Sequence, residues 1–178
     1  TLSSSSAASD VYKRQHEGLM YFTLGQRQGI GLGGIKGKEQ DSWYVAHKDL
    51  ASNELTVVQG NENKLLLSEG CFVDDIHWIN ERPESEFECD VQIRYKSLPV
   101  RSRVKKLTTG YKISFTKPQL AVTPGQSAVI YDRDECLGGS VIRERISQDF
   151  YNWATNRGYN YKVYGLSLIH ISEPTRPL

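Results

Sequence analysis

Along residues 87–96 apolar and polar side chains alternate without a break. Phe87, Cys89, Val91, Ile93 and Tyr95 stand in one phase, and Glu88, Asp90, Gln92, Arg94 and Lys96 in the other. A repeat of two puts one set on a buried face and the other in water, so the stretch predicts a half-buried strand with Tyr95 in its inward phase. Tyr111, Ile113 and Phe115 repeat the pattern against Lys112, Ser114 and Thr116, and Ala128-Val-Ile-Tyr131 is a short apolar run ended by the turn Asp132-Arg-Asp-Glu135. Upstream, Leu19–Leu24, Trp43–Ala46 and Leu55–Val58 read as strands, with Asp49–Glu54 as a turn. Many short strands separated by turns predict a mainly β protein: a small β-rich domain over residues 16–68, then a C-terminal antiparallel β-barrel over 69–142. After that the period changes. Ile142, Ile146, Phe150 and Trp153 form one stripe with Gly158 as a stop, so residues 143–165 are expected to hold a helix that either docks on the barrel or is foreign to it.

Both ends depart from this patterning. Residues 1–15, TLSSSSAASDVYKRQ, are serine-rich and aperiodic and read as a disordered leader. They resemble a translated cloning adaptor, as does the tail from Leu166, LSLIHISEPTRPL. Residues 1–15 and 166–178 are therefore set aside from fold reasoning, and the reading frame is expected to be incomplete, extending in the N-terminal direction.

The chain has 178 residues and a formal net charge of +1, which signals neither a generally basic nor an acidic protein. No run of about 18 apolar residues occurs and nothing reads as a signal peptide, so a cytoplasmic protein without membrane contact is expected. The distribution of charge says more than its sum. Between Val91 and Tyr131 stand Arg94, Lys96, Arg101, Arg103, Lys105, Lys106, Lys112 and Lys117 without one Asp or Glu. Arg94 and Lys96 share a wet phase, as do Arg101, Arg103 and Lys105, so a contiguous positive surface is expected. Such a surface is either an ordinary solvated face or a seat for a polyanion, above all nucleic-acid phosphate.

Cys71, Cys89 and Cys136 are too few and too scattered for a disulfide framework or a zinc site, and read as reduced packing thiols. His16, His47, His77 and His170 fall in no motif with a serine or cysteine, and no metal site is predicted. Gly29-x-Gly31-x-x-Gly34 matches a dinucleotide fingerprint, with Asp49 at a plausible distance for a ribose. The fingerprint needs a helix after its last glycine. Residues 35–45, IKGKEQDSWYV, carry no helical recurrence, so the segment reads as a loop between strands.

Five phrases in order, HEGLMYFTLGQRQGIGLGG, WYVAHKDLASNELTVVQG, IHWIN, CDVQIRYK and AVTPGQSAVIYDRDECLGGSVI, resemble the central and C-terminal domains of the bacterial tRNA-specific 2-thiouridylases, over about His16 to Ile142. That resemblance implies an enzyme that places sulfur on the wobble uridine of tRNA. It implies ATP, with magnesium, held by a Ser-Gly-Gly-x-Asp-Ser loop, and two catalytic cysteines in their own motifs. None of these occurs in this chain, so no catalytic residue and no cofactor are assigned to it. The resemblance further implies that IRYK and PGQS contact tRNA, which carries over to Arg94, Tyr95 and Gln126, with Lys96, Arg101, Arg103 and Lys105 as supporting phosphate contacts. Arg94 can fork onto a phosphate, Tyr95 offers a ring and a hydroxyl, and Gln126 offers a donor and an acceptor. Two competing roles stand beside these: Tyr95 as a core residue, and Gln126 as an amide tying the Pro124-Gly125 turn. The expected partners are tRNA and, through the parent enzyme, a sulfur-relay protein or cysteine desulfurase, with no DNA. The alternative is a free-standing β-barrel that binds RNA or protein.

Overall fold

The computed structural model describes residues 18–30, 42–50, 52–81, 84–156, 161–164 and 167–170. The chain packs as two units, residues 1–63 and 64–178.

In the first unit, β1 (Trp43–Asp49) and β2 (Glu54–Gln59) form an antiparallel hairpin. Its turn is stabilised by Ser52, whose hydroxyl donates to the Asp49 carboxylate at 2.8 Å, and by Asn53 at a φ of 55°. Asparagine tolerates that left-handed conformation better than most side chains. Leu19–Leu24 does not form the strand its apolar content suggests. Leu19–Tyr21 is a 3-10 turn, in which the Tyr21 and Phe22 amides donate to the Gly18 and Leu19 carbonyls at 3.3 and 3.2 Å. Local bonds have taken the amides a ladder would need, while Leu19, Phe22 and Leu24 remain buried.

The second unit is a closed barrel. Its strands are β3 (Leu67–Val73), β5 (Glu86–Gln92), β6 (Val100–Lys106), β7 (Tyr111–Leu120), β8 (Ser127–Asp132) and β9 (Glu135–Ile146), with the two-residue β4 (His77–Trp78) on the flank of β9. The ring runs β3-β7-β6-β5-β8-β9 and closes through β3–β9, every pair antiparallel. Closure gives each of the six strands a partner on both sides. Pro118, which cannot donate to a ladder, stands beyond the last β6–β7 pair, Ser102 with Phe115, and inside the irregular gap of the β3–β7 pairing.

Such a small ring favours small or branched side chains inside. Cys71, Val73, Cys89, Val91, Val104, Ile113, Val122, Ala128, Ile130 and Ile142 fill it, all almost entirely buried. Gly70 is required by close approach, since a Cβ there would run into the Ile113 carbonyl oxygen of β7. Trp78 packs at one end of the core, 5.8 Å from the Phe87 ring and 6.1 Å from that of Tyr111.

Ile142 and Ile146 belong to β9, so the apolar stripe over residues 142–153 does not form one helix. A spacing of four is even and satisfies a strand as well as a helix. The helix, α1, is confined to Gln148–Asn156. Ser147 caps it: its hydroxyl accepts from the Phe150 amide at 3.4 Å and donates to the Leu67 carbonyl at 2.6 Å, which ties the helix to the start of β3. Arg145 extends this docking, donating to the Leu65 carbonyl at 3.0 Å with its guanidinium 4.2 Å from the centre of the Phe150 ring. Beyond the helix, β10 (Tyr161–Tyr164) and β11 (Ser167–His170) pair antiparallel.

Candidate nucleic-acid interface

β5 is shorter than its alternating pattern. It ends at Gln92, Ile93 is the last buried side chain, and Arg94–Ser97 reverses the chain toward β6. Three hydrogen bonds hold the reversal. The Ser97 amide and hydroxyl both donate to the Arg94 carbonyl, at 3.1 and 2.8 Å, and the Gln92 side-chain amide donates to the Ser97 carbonyl at 2.7 Å. Lys96 takes a φ of 65°, unfavourable for a lysine. Tyr95 therefore does not point inward as the period suggests: it is 91% exposed, with the Lys96 ammonium 5.5 Å from its ring centre. Arg94 and Lys96 sit in this turn rather than on one strand face.

Gln126 lies at the same end of the barrel, because β5 and β8 are antiparallel: Gln92 faces Val129, and the chain after Gln92 runs beside the chain before β8. The turn around Gln126 is tied by its main chain. The Gly125 amide donates to the Ile142 carbonyl at 2.8 Å, the Ile142 amide to the Gln126 carbonyl at 2.7 Å, and the Gln126 amide to the Thr123 carbonyl at 3.2 Å. The side-chain amide is not what closes the turn. The Gln126 Oε1 atom is instead buried without a hydrogen-bond partner. A sheltered acceptor with no donor is costly, and it suits a site whose donor arrives with a ligand.

The eight basic residues divide into three groups. Arg94, Lys96 and Lys117 belong to the end that carries Gln126; Lys117 follows Thr116, whose hydroxyl donates to the Arg101 carbonyl near the start of β6 at 2.8 Å. Lys106 and Lys112 lie toward the other end, where Lys106 faces Tyr111 and Lys112 faces Lys105. Arg101, Arg103 and Lys105 share one phase of β6, as expected, but directly across stand Asp90, Glu88 and Glu86 of β5. Arg101 reaches Glu88 at 3.2 Å and Asp90 at 3.9 Å, Arg103 reaches Glu88 at 3.3 Å and Glu86 at 3.8 Å, and Lys105 reaches Glu86 at 3.2 Å. The neighbouring Arg103 and Arg101 hold the Glu88 carboxyl below the usual carboxylate range. A stretch free of acids in sequence is thus not free of them in space, and the contiguous positive face expected along β6 is an ion-pair ladder.

Two of the three thiols are closed to chemistry by burial. Burial pushes the Cys71 and Cys89 thiols up to about 12, and Cys136 is half-buried. Among the described residues no group of three His, Cys, Asp or Glu side chains could hold a metal. In the glycine-rich segment the Gly25 amide is already committed to the Val45 carbonyl at 2.8 Å, and the Val45 amide returns to the Gln26 carbonyl at 3.0 Å. This part of the loop is stitched to β1, which leaves that amide unavailable to a phosphate. Whether a helix follows Gly34 lies outside the described residues.

Residues 68–142 match the family model described as an aminomethyltransferase beta-barrel domain, and residues 7–59 match that described as a tRNA methyl transferase PRC-barrel domain, beginning ahead of His16. The chain is 46% identical over 134 residues to the tRNA-specific 2-thiouridylase MnmA of Histophilus somni strain 129Pt, covering 74% of the chain and 35% of that protein. The same enzyme of Actinobacillus succinogenes is 46% identical over 134 residues, covering 74% of the chain and 34% of that protein. The counterpart in Pectobacterium carotovorum strain PC1 is 46% identical over 136 residues, 75% of the chain and 37% of that protein. The chain spans about a third of the length of the curated relatives it matches.

Proposed function

The chain belongs to the tRNA-specific 2-thiouridylase family, and on that premise we propose that it supplies tRNA binding and positioning to an ATP-dependent transfer of sulfur to the wobble uridine. Catalysis and the nucleotide belong to other parts of the parent enzyme, with sulfur delivered to them by a relay protein or cysteine desulfurase. The observation that carries the binding role is Gln126, whose Oε1 is buried without a donor at the barrel end that also presents Arg94, Tyr95, Lys96 and Lys117. A ribose hydroxyl or an exocyclic base amine would satisfy that oxygen, while Arg94 and Lys96 meet the phosphates on either side. The β6 cations enter this reading only as a reserve, since each already faces a carboxylate.

Titration of labelled tRNA at several salt concentrations tests the proposal. With about three phosphate contacts the log–log slope is roughly −2 to −3. Arg94→Ala costs about 1 to 3 kcal/mol of binding and flattens the slope. Gln126→Ala weakens binding without changing the slope, because no charge is lost. A flat salt dependence, or an Arg94→Ala variant that binds like wild type, would overturn it. The chain alone, given ATP, a persulfide source and unmodified tRNA, incorporates no sulfur. Incorporation above background would refute the assignment of catalysis elsewhere.

A further inference from the structure

The turn that presents Tyr95 carries a second large apolar side chain into water: Leu98, 88% exposed. Single exposed apolar residues are ordinary on protein surfaces. What sets this pair apart is its support. The turn is braced by the three hydrogen bonds from Ser97 and Gln92, and it keeps Lys96 in a left-handed conformation that a lysine adopts at a cost. Leu98 precedes Pro99, which restricts its backbone to the extended region and so limits the directions open to its side chain. Strain and bracing that serve only to leave a tyrosine and a leucine in water are hard to explain by folding. They are simple to explain by contact with something apolar.

The chemistry of the surroundings selects that partner. Arg94, Lys96 and Lys117 bring positive charge to this end of the barrel, and the Lys96 ammonium stands beside the Tyr95 ring. Residues 91–131 contain no acid, and the nearest acids on β5 face the β6 cations. A flat apolar face joined to negative charge is what an unpaired nucleotide offers. Bases within a duplex are stacked on their neighbours and cannot present that face.

We propose that Leu98 packs against an unpaired base of the bound RNA held at Tyr95, making the Arg94–Pro99 turn a reader of single-stranded loop rather than of helix. This rests on the tRNA-binding reading above and deepens it by naming Leu98 as a residue that sets the preference for loop over duplex.

The test uses the full chain with two RNAs: a hairpin carrying 2-aminopurine in its unpaired loop, and a blunt duplex of the same stem. Leu98→Ser is expected to lower hairpin affinity roughly five- to tenfold, to reduce the quenching of the loop fluorophore, and to leave duplex affinity and salt slope unchanged. Leu98→Met, still apolar, retains most of the affinity. Circular dichroism checks that both variants are folded. If Leu98→Ser binds the hairpin like wild type while Arg94→Ala weakens it, the role of Leu98 is wrong and the RNA-binding reading stands. Equal weakening on hairpin and duplex also overturns the role of Leu98. If wild type binds neither RNA, the underlying reading has failed and this inference falls with it. Capture of an acidic protein surface by Tyr95 and Leu98 in place of RNA would likewise overturn it.

Discussion

Arg103 of β6 and Glu88 of β5 face each other across the barrel ladder with 3.3 Å between Nη2 and Oε1, and Arg101 approaches the other oxygen of the same carboxylate at 3.2 Å. One acid thus holds two of the cations that the sequence offers to a polyanion. All partners are substantially exposed, so water and salt screen the pairs and their role is to set the surface potential rather than to stabilise the fold.

Removing that carboxylate should release the cations. Glu88→Gln is expected to tighten tRNA binding and to steepen the log–log salt slope by about 0.7 to 0.9 for each cation recruited. Thermal stability should change little, because exposed pairs contribute little. Binding isotherms at several salt concentrations check it, and an unchanged slope would show that the β6 face lies outside the RNA footprint.

Lys96 sits at a φ of 65°, where glycine is at ease and lysine is not. Lys96→Gly is expected to raise stability by about 0.5 to 1 kcal/mol while lowering tRNA affinity. Lys96→Ala keeps the strain and loses the charge, so it should weaken binding with no gain in stability. Chemical denaturation beside binding measurements separates the two effects.

Thiol reactivity should follow burial. Cys71 and Cys89 lie inside the barrel with thiols held up to about 12, while Cys136 is half-buried on β9. The native protein is expected to yield one promptly reactive thiol to a disulfide reagent, and the denatured protein three. Prompt labelling of all three in the folded protein would contradict the closed barrel.

Glu144 gives stability a specific pH dependence. Burial raises its carboxyl from 4.5 to about 7, with Arg143 opposing the shift. A raised acid binds its proton more tightly in the folded state than in the unfolded one. Its contribution is therefore fully present below about pH 4.5 and is lost as pH rises through 7. Glu144→Gln, which mimics the protonated form, should remove that decline and leave the protein more stable above pH 7 by about 1 to 2 kcal/mol, the full linkage value being discounted for the group's partial exposure. Denaturant midpoints measured from pH 5 to 8 check the slope.

Much of the barrel was legible because period two reports burial directly. Cys89, Val91, Ile113, Ala128 and Ile130 all face inward as their phase requires. The same rule failed where a local bond or a turn intervened, as at Leu19–Tyr21 and at Tyr95. It was ambiguous at Ile142 and Ile146, where a spacing of four fits both kinds of element. Gln92 and Ser97, which brace the Arg94–Ser97 turn, carry no sequence signal for that role.

The sequence alone determined which side chains could be buried, the mainly β architecture and the family, since alternation and ordered motifs are properties of the chain itself. Only the tertiary structure decided which charges meet. Electrostatic neighbours are chosen by strand register, and register brought Glu86, Glu88 and Asp90 against Lys105, Arg103 and Arg101 although the paired residues stand 11 to 19 positions apart. Coulomb interaction falls with distance through space and takes no account of distance along the chain, so an acid-free run of sequence became a paired surface along β6.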